Sequence, residues 1–186
     1  MIGTTVGAFR ITDMLGDGGL GPVYRAVDPA AGQSAAVRVF TPEVSRDAAL
    51  VDRLQRLMPI LQRLQHPNLA AVYGLATVGG STAMISEYVP GATLDHMRRR
   101  SGTLAVNVAT SCAVQVLRGL EHLHGVGVFH HAVRPTNLMA TQSGTVKLVD
   151  VGVGHAFGAN RRTRDDRLLA VMAYLAPEQM RNQAGD

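Results

Sequence analysis

The chain has 186 residues, enough for one domain with a real core, and its 46% apolar and 17% charged content describes a globular protein rather than a disordered one. A net charge of only +4, no tryptophan, four tyrosines and four phenylalanines leave little on which bases could stack, so no nucleic-acid partner is expected. A single cysteine, Cys112, excludes an intrachain disulfide and fits a reducing cytoplasmic setting, and neither a signal peptide nor a membrane segment is read.

In chain order, Phe9 to Leu15 and Val23 to Val27 read as short strands joined by the glycine-rich hairpin Gly16-Asp17-Gly18-Gly19-Leu20-Gly21. Ala35 to Phe40 alternates as a third strand. From Val44 to Leu64, the spacing of Leu50, Leu54, Leu57, Leu61 and Leu64 predicts one amphipathic helix, which Pro59 should bend or interrupt. His66-Pro67-Asn68 ends it, and strands follow near Ala70 to Ala76 and Thr82 to Tyr88. From Pro90 the pattern turns helical. Thr93 to Arg100 is short; Leu104 to His124 is long, with Val108, Cys112, Gln115, Val116, Gly119 and Leu123 along one side and Cys112 as core filler. Val126 to Phe129, Leu138 to Ala140 and Thr145 to Val149 then look strand-like. A small β-rich part followed by a helical part, meeting near residues 88 to 91, is a two-lobed α+β plan, and such plans bind ligands in the crevice.

Several of these segments carry chemistry. Gly16-Asp17-Gly18-Gly19-Leu20-Gly21-Pro22-Val23 is a G-x-G-x-x-G-x-V loop between two strands, where bare backbone lets phosphates come close. Ala36-Val37-Arg38-Val39 follows on the third strand, then His66-Pro67-Asn68, then Glu87-Tyr88-Val89. Further on come Phe129-His130-His131-Ala132-Val133-Arg134-Pro135-Thr136-Asn137-Leu138, Asp150-Val151-Gly152 and Ala176-Pro177-Glu178. In that order and spacing they resemble the glycine loop, third-strand lysine motif, helix αC end, hinge, catalytic loop, D-F-G and A-P-E of a bacterial-type serine/threonine protein kinase domain.

The resemblance implies an α+β, protein kinase-like two-lobed fold, with a complete β-rich N-lobe over residues 1–89 and an incomplete helical C-lobe over 90–186. It implies ATP and Mg as cofactors, with Gly16, Gly18, Gly21, Val23, Ala36, Arg38, Glu87, Val89 and Met139 around the nucleotide and Asn137 and Asp150 on the metal. Ser86 falls at the gatekeeper position.

It also exposes losses. Ala132 stands at the catalytic aspartate position, and a missing general base alone costs about 10²–10⁴-fold. Arg38 stands for the third-strand lysine, Leu57 for the helix αC glutamate, Arg134 for the loop lysine and His131 for the arginine that receives a phosphorylated loop. Thr163 is the only serine or threonine between Gly152 and Ala176, so control by loop phosphorylation is not expected. The implied protein is a pseudokinase that binds nucleotide or regulates a protein partner. Two alternatives stay open: an atypical active serine/threonine kinase using His131 or substrate-assisted proton loss, and a remnant without a stable fold. The chain stops eight residues after Glu178. It is therefore read as cut short, with a large apolar patch left on the long helix.

Overall fold

The structure is a computed structural model, and it describes residues 1–157, 174, 176 and 177. The chain divides into two compact units: Met1–Leu64 with Ala71–Tyr88, and Gln65–Ala70 with Val89–Asp186.

The first unit is a six-stranded antiparallel sheet with two helices. Its strands are β1 (Thr5–Val6), β2 (Phe9–Gly18), β3 (Gly21–Val27), β4 (Ser34–Val39), β5 (Val72–Val78) and β6 (Ser81–Glu87), in spatial order β1-β2-β3-β4-β6-β5. Alternation decides what each face carries. Tyr24, Ala26, Ala35, Val37 and Val39 join Val6, Ile11, Val78, Ala83 and Ile85 in one buried cluster. The residues between them, Val23, Arg25, Ala36 and Arg38, lie on the opposite face. β2 and β3 run on into the glycine-rich segment, which is therefore strand as well as loop: Gly16 pairs with Val23 and Gly18 with Gly21.

The predicted single helix is two. α1 (Pro42–Arg46) is capped by Thr41, and α2 (Ala48–Leu61) starts afresh after Asp47, whose carboxylate accepts from the Leu50 amide at 3.0 Å. The break falls at Asp47 and not at Pro59, which lies inside α2 close enough to its end that one lost backbone bond is tolerated. Leu50, Leu54, Met58 and Leu61 form the buried stripe, and each such burial contributes about 1.5–3 kcal/mol. Leu57 sits beside that stripe, only half-buried.

In the second unit, β7 (Gly91–Thr93), β8 (Leu138–Thr141) and β9 (Val146–Leu148) make a small antiparallel sheet, with α3 (Leu94–Ser101), α4 (Val106–His124) and α5 (Val153–Phe157) around it. α3 begins where the Thr93 hydroxyl accepts from the His96 amide. α4 buries Cys112, Val116, Gly119 and Leu123. Val108, expected on that side, is exposed, and Gln115 is there because its amide is fully used: Oε1 accepts from Asn68 and Val146, and Nε2 donates to Gly144. Val126 to Phe129 is no strand, since Val126 and Gly127 donate back to Leu123 and His124 and wind the chain into turns. Among the described residues, no helix is long and apolar enough to cross a membrane.

Candidate functional site

The glycine hairpin belongs to the first unit. Its glycines are of two kinds. Gly21 has φ +114° and a Cβ there would stand 2.1 Å from the Val39 carbonyl, so the fold itself demands glycine. Gly16 and Gly19 have nothing within 4 Å of such a Cβ, and Gly18 has only an Arg38 guanidinium nitrogen at 4.0 Å; none of the three has a φ that excludes other residues. Neither packing nor backbone conformation asks for glycine there, so their bareness fits a ligand that needs close backbone approach.

Cross-strand register sets the residues beside this hairpin. Val23 pairs with Arg38 and Arg25 with Ala36, while Ala36 pairs with Ser86 on β6. Arg38 donates from Nη1 to the Gly21 carbonyl at 3.0 Å, which holds its positive charge under the hairpin. Glu87 is tied down: its backbone amide donates to Ala71, and its Oε2 accepts from the Ala71 amide at 3.1 Å. Arg25 packs over the Tyr88 ring, 5.0 Å from its centre. Leu57 offers no carboxylate, and the one acid of α2, Asp52, pairs with Arg56 at 2.8 Å.

The second unit carries the remaining predicted positions. The Asn137 side chain is buried and donates from Nδ2 to the Ala132 carbonyl at 2.8 Å; its backbone amide donates to Arg134, and its carbonyl accepts from Val149. These bonds fold residues 132–137 into a closed loop and lay the loop beside the segment that ends in Asp150. With Nδ2 engaged in that bond, the other polar side-chain atom of Asn137 is an oxygen, the kind of atom a hard cation takes. Asp150 and His131 have positive φ, 60° and 53°, a conformation that non-glycine residues adopt at a cost of about 1–3 kcal/mol. Met139 lies on β8, paired with Thr93 and Lys147, and Val89 is buried. The Ala132 methyl stands where a base is expected, and no carboxylate occurs anywhere from residue 122 to 149.

Around the loop the structure shows a set of rings that the sequence did not announce. Phe129 lies 4.9 Å from His124, 5.8 Å from His131 and 6.3 Å from His155, and His131 and His155 are 5.9 Å apart. The Phe129 amide donates to His155 Nδ1 at 3.1 Å. His130 is buried, its Nε2 3.0 Å from the Val149 carbonyl. Gly154 makes the packing possible, because a Cβ there would lie 2.1 Å from the His130 carbonyl. Asn68, read only as a helix end, is a buried hub: Nδ2 donates to Gln115 and to the Val146 carbonyl. Its signal was its place in His66-Pro67-Asn68. His155 had none, being 26 positions from its partner. Thr163 and Glu178 lie outside the described residues.

Comparison with known proteins decides the family. A model described as "Protein kinase domain" matches residues 9–186. The chain belongs to the protein kinase domain family. Serine/threonine-protein kinase PknA of Mycobacterium tuberculosis is 32% identical over 184 residues, covering 96% of this chain and 43% of the relative. Serine/threonine-protein kinase PknH of the same species is 30% identical over 181 residues, covering 97% of this chain and 29% of the relative. The chain thus spans less than half of the curated relatives it matches. Among solved structures, the M. tuberculosis PknI kinase domain superposes with a TM-score of 0.78 at 26% identity, over 100% of this chain and 68% of that one. Rad53 in complex with AMP-PNP superposes with a TM-score of 0.75 at 25% identity, over 94% of this chain and 43% of that one. The fold is therefore the two-lobed α+β fold of bacterial serine/threonine kinase domains, with a β-rich N-lobe sheet.

Proposed function

We propose that this kinase-family domain is catalytically impaired, a pseudokinase that holds Mg·ATP weakly and regulates a protein partner in cytoplasmic signalling. Residues 1–89 act as the N-lobe and residues 90–186 carry the catalytic loop. The observation that carries this reading is the intact loop around an absent base. Asn137 still bonds back to Ala132 and His131 still takes a positive φ, yet no carboxylate lies in residues 122–149.

When bound, ATP with Mg supplies the phosphoryl group and the charge neutralisation of the family's chemistry. This chain's residues would hold it in named ways: Gly16, Gly18 and Gly21 by backbone under the phosphates, Arg38 by its charge, Asn137 and Asp150 by oxygens on the metal. Val23, Ala36 and Met139 would flank the base, and Glu87 and Val89 would meet it through backbone groups. None of them stands at the base position, which Ala132 fills. His131 is a poor substitute, since its ring packs with Phe129 and His155.

A thermal-shift titration tests the binding half. At a hundredfold excess over Kd, Mg·ATP should stabilise the chain by about 2.7 kcal/mol, and Asp150→Ala should abolish the part of that shift that depends on Mg²⁺. Radiolabelled phosphate transfer tests the other half. Turnover by the purified chain above an Asp150→Ala control would overturn the impaired reading, as would Ala132→Asp merely improving a rate already present.

A further inference from the structure

His66 stands at the start of the 65–70 segment, which belongs to the second unit and runs along α4 and β9. Three kinds of bond hold it there. The Leu148 amide donates to the Asn68 carbonyl at 2.9 Å, and the Ala70 amide donates to the Leu148 carbonyl at 2.8 Å, forming a parallel bridge between Leu69 and Leu148. The Asn68 side chain donates to Gln115 and Val146. Lys147 Nζ reaches the Leu69 carbonyl at 3.4 Å.

The turn that lets Asn68 do this closes on His66, whose Nδ1 accepts from the Asn68 amide at 3.1 Å. That bond needs a lone pair on Nδ1, so the ring must be neutral with its proton on Nε2. A second proton would set N–H against N–H. The surroundings oppose it too. The His66 ring stacks on His122, with centres 5.1 Å apart and planes 24° from parallel. From α4 it faces His122, Arg118 and Glu121, and from β9 it faces Lys147: two fixed cations and one titratable ring against one acid.

We propose that His66 is a proton-sensitive latch: neutral, it closes the turn that binds residues 65–70 to α4 and β9, and protonated, it opens that turn. The segment it releases is the one bonded along β9, the strand that leads into Asp150, so the latch couples acidity to what that strand is packed against. The device stands whether or not the chain binds nucleotide. Burial first, then His122 and Arg118, hold the His66 imidazole below its ordinary value of 6.5, against the pull of Glu121. The unfolded chain therefore takes the proton more readily, and the contribution of His66 to stability is complete above 6.5 and is lost as pH falls from there.

Histidine ¹⁵N spectra of the 186-residue chain, recorded from about pH 8 to about pH 5, test the latch directly. The expected result is His66 in the Nε2–H tautomer, titrating below 6.5, with amide protection at Asn68 and Leu148 falling along the same curve. His66→Asn places an oxygen where Nδ1 stands and cannot titrate. It should at least halve the loss of Tm between about pH 7.5 and about pH 5.5. His122→Phe keeps a stacked ring without the charge and should move the His66 titration upward. A wild-type His66 that titrates at or above 6.5, protection indifferent to its titration, or an unchanged pH slope in His66→Asn would each overturn the proposal. Where the variants do not fold, the wild-type spectra decide alone.

Discussion

A methyl group added at Gly154 would stand 2.1 Å from the His130 carbonyl and 3.2 Å from the His131 Cβ, whereas one added at Gly16 or Gly19 would meet nothing within 4 Å. The difference separates glycines the fold requires from glycines it merely accommodates. Gly154→Ala forces α5 away from the loop that holds Ala132, and overpacking of that kind costs about 1–3 kcal/mol. A lower Tm is expected, together with shifted amide signals at residues 129–132. Gly16→Ala should leave stability within about 0.5 kcal/mol of the parent and weaken Mg·ATP binding, because only the ligand needs the bare backbone. If both variants lose stability alike, or if Gly16→Ala binds nucleotide undiminished, the reading of the hairpin as a phosphate cradle fails. In sequence, these glycines were indistinguishable. The order G-x-G-x-x-G-x-V marked the loop of Gly16 to Gly21 and not Gly154, and which glycine a neighbour crowds depends on Val39 and His130, contacts that no local pattern contains.

Elements were legible to the extent that their own periodicity decided them. α4 showed itself by its spacing, whereas the Thr93 cap that starts α3 came only with the structure. Val126 to Phe129 misled because Val-Gly-Val-Phe alternates like a strand, while its backbone finds partners one turn back on α4. β1 and β7 have two and three residues and no pattern of their own; each exists because a neighbouring strand offers a register. The α1–α2 break was hidden for a different reason. Leucine spacing runs on through it, and only the Asp47 carboxylate, accepting from Leu50, marks a new start. Removing that acceptor in Asp47→Ala should cost about 1 kcal/mol, read as a lower midpoint in urea with an unchanged slope. Pro59 supplies the opposite test. It is exposed and inside α2, so Pro59→Ala restores a donor to the Gln55 carbonyl and should raise Tm. A fall in Tm would mean that the helix needs proline to stop where it does.

At the scale of the whole molecule, the order of the motifs carried nearly all of the recognition, because each marks a backbone feature that survives wide change elsewhere. What it did not carry was how the second unit is tied together. Asn68, Gln115, Val146 and Leu148 are far apart in the chain, and their bonds form only once α4 and β9 are in place. The same helix has a second side. Val106 is 82% exposed, Leu117 63% and Val114 42%, a run of apolar residues on a face that the described residues leave open to water. Apolar surface of this kind favours association in solution. It stabilises nothing within the described fold, so replacing it should not weaken that fold. Leu117→Arg is the sharpest version: it removes the larger exposed side chain, raises the net charge above +4, and sets a cation four residues before Glu121, a favourable helical pair. Light scattering should show less aggregation while stability stays within about 0.5 kcal/mol of the parent. Leu123→Ala, on the fully buried side of the same helix, should do the reverse and cost about 2–5 kcal/mol. A Leu117→Arg chain that unfolds as readily as Leu123→Ala would show that the open face is packed after all.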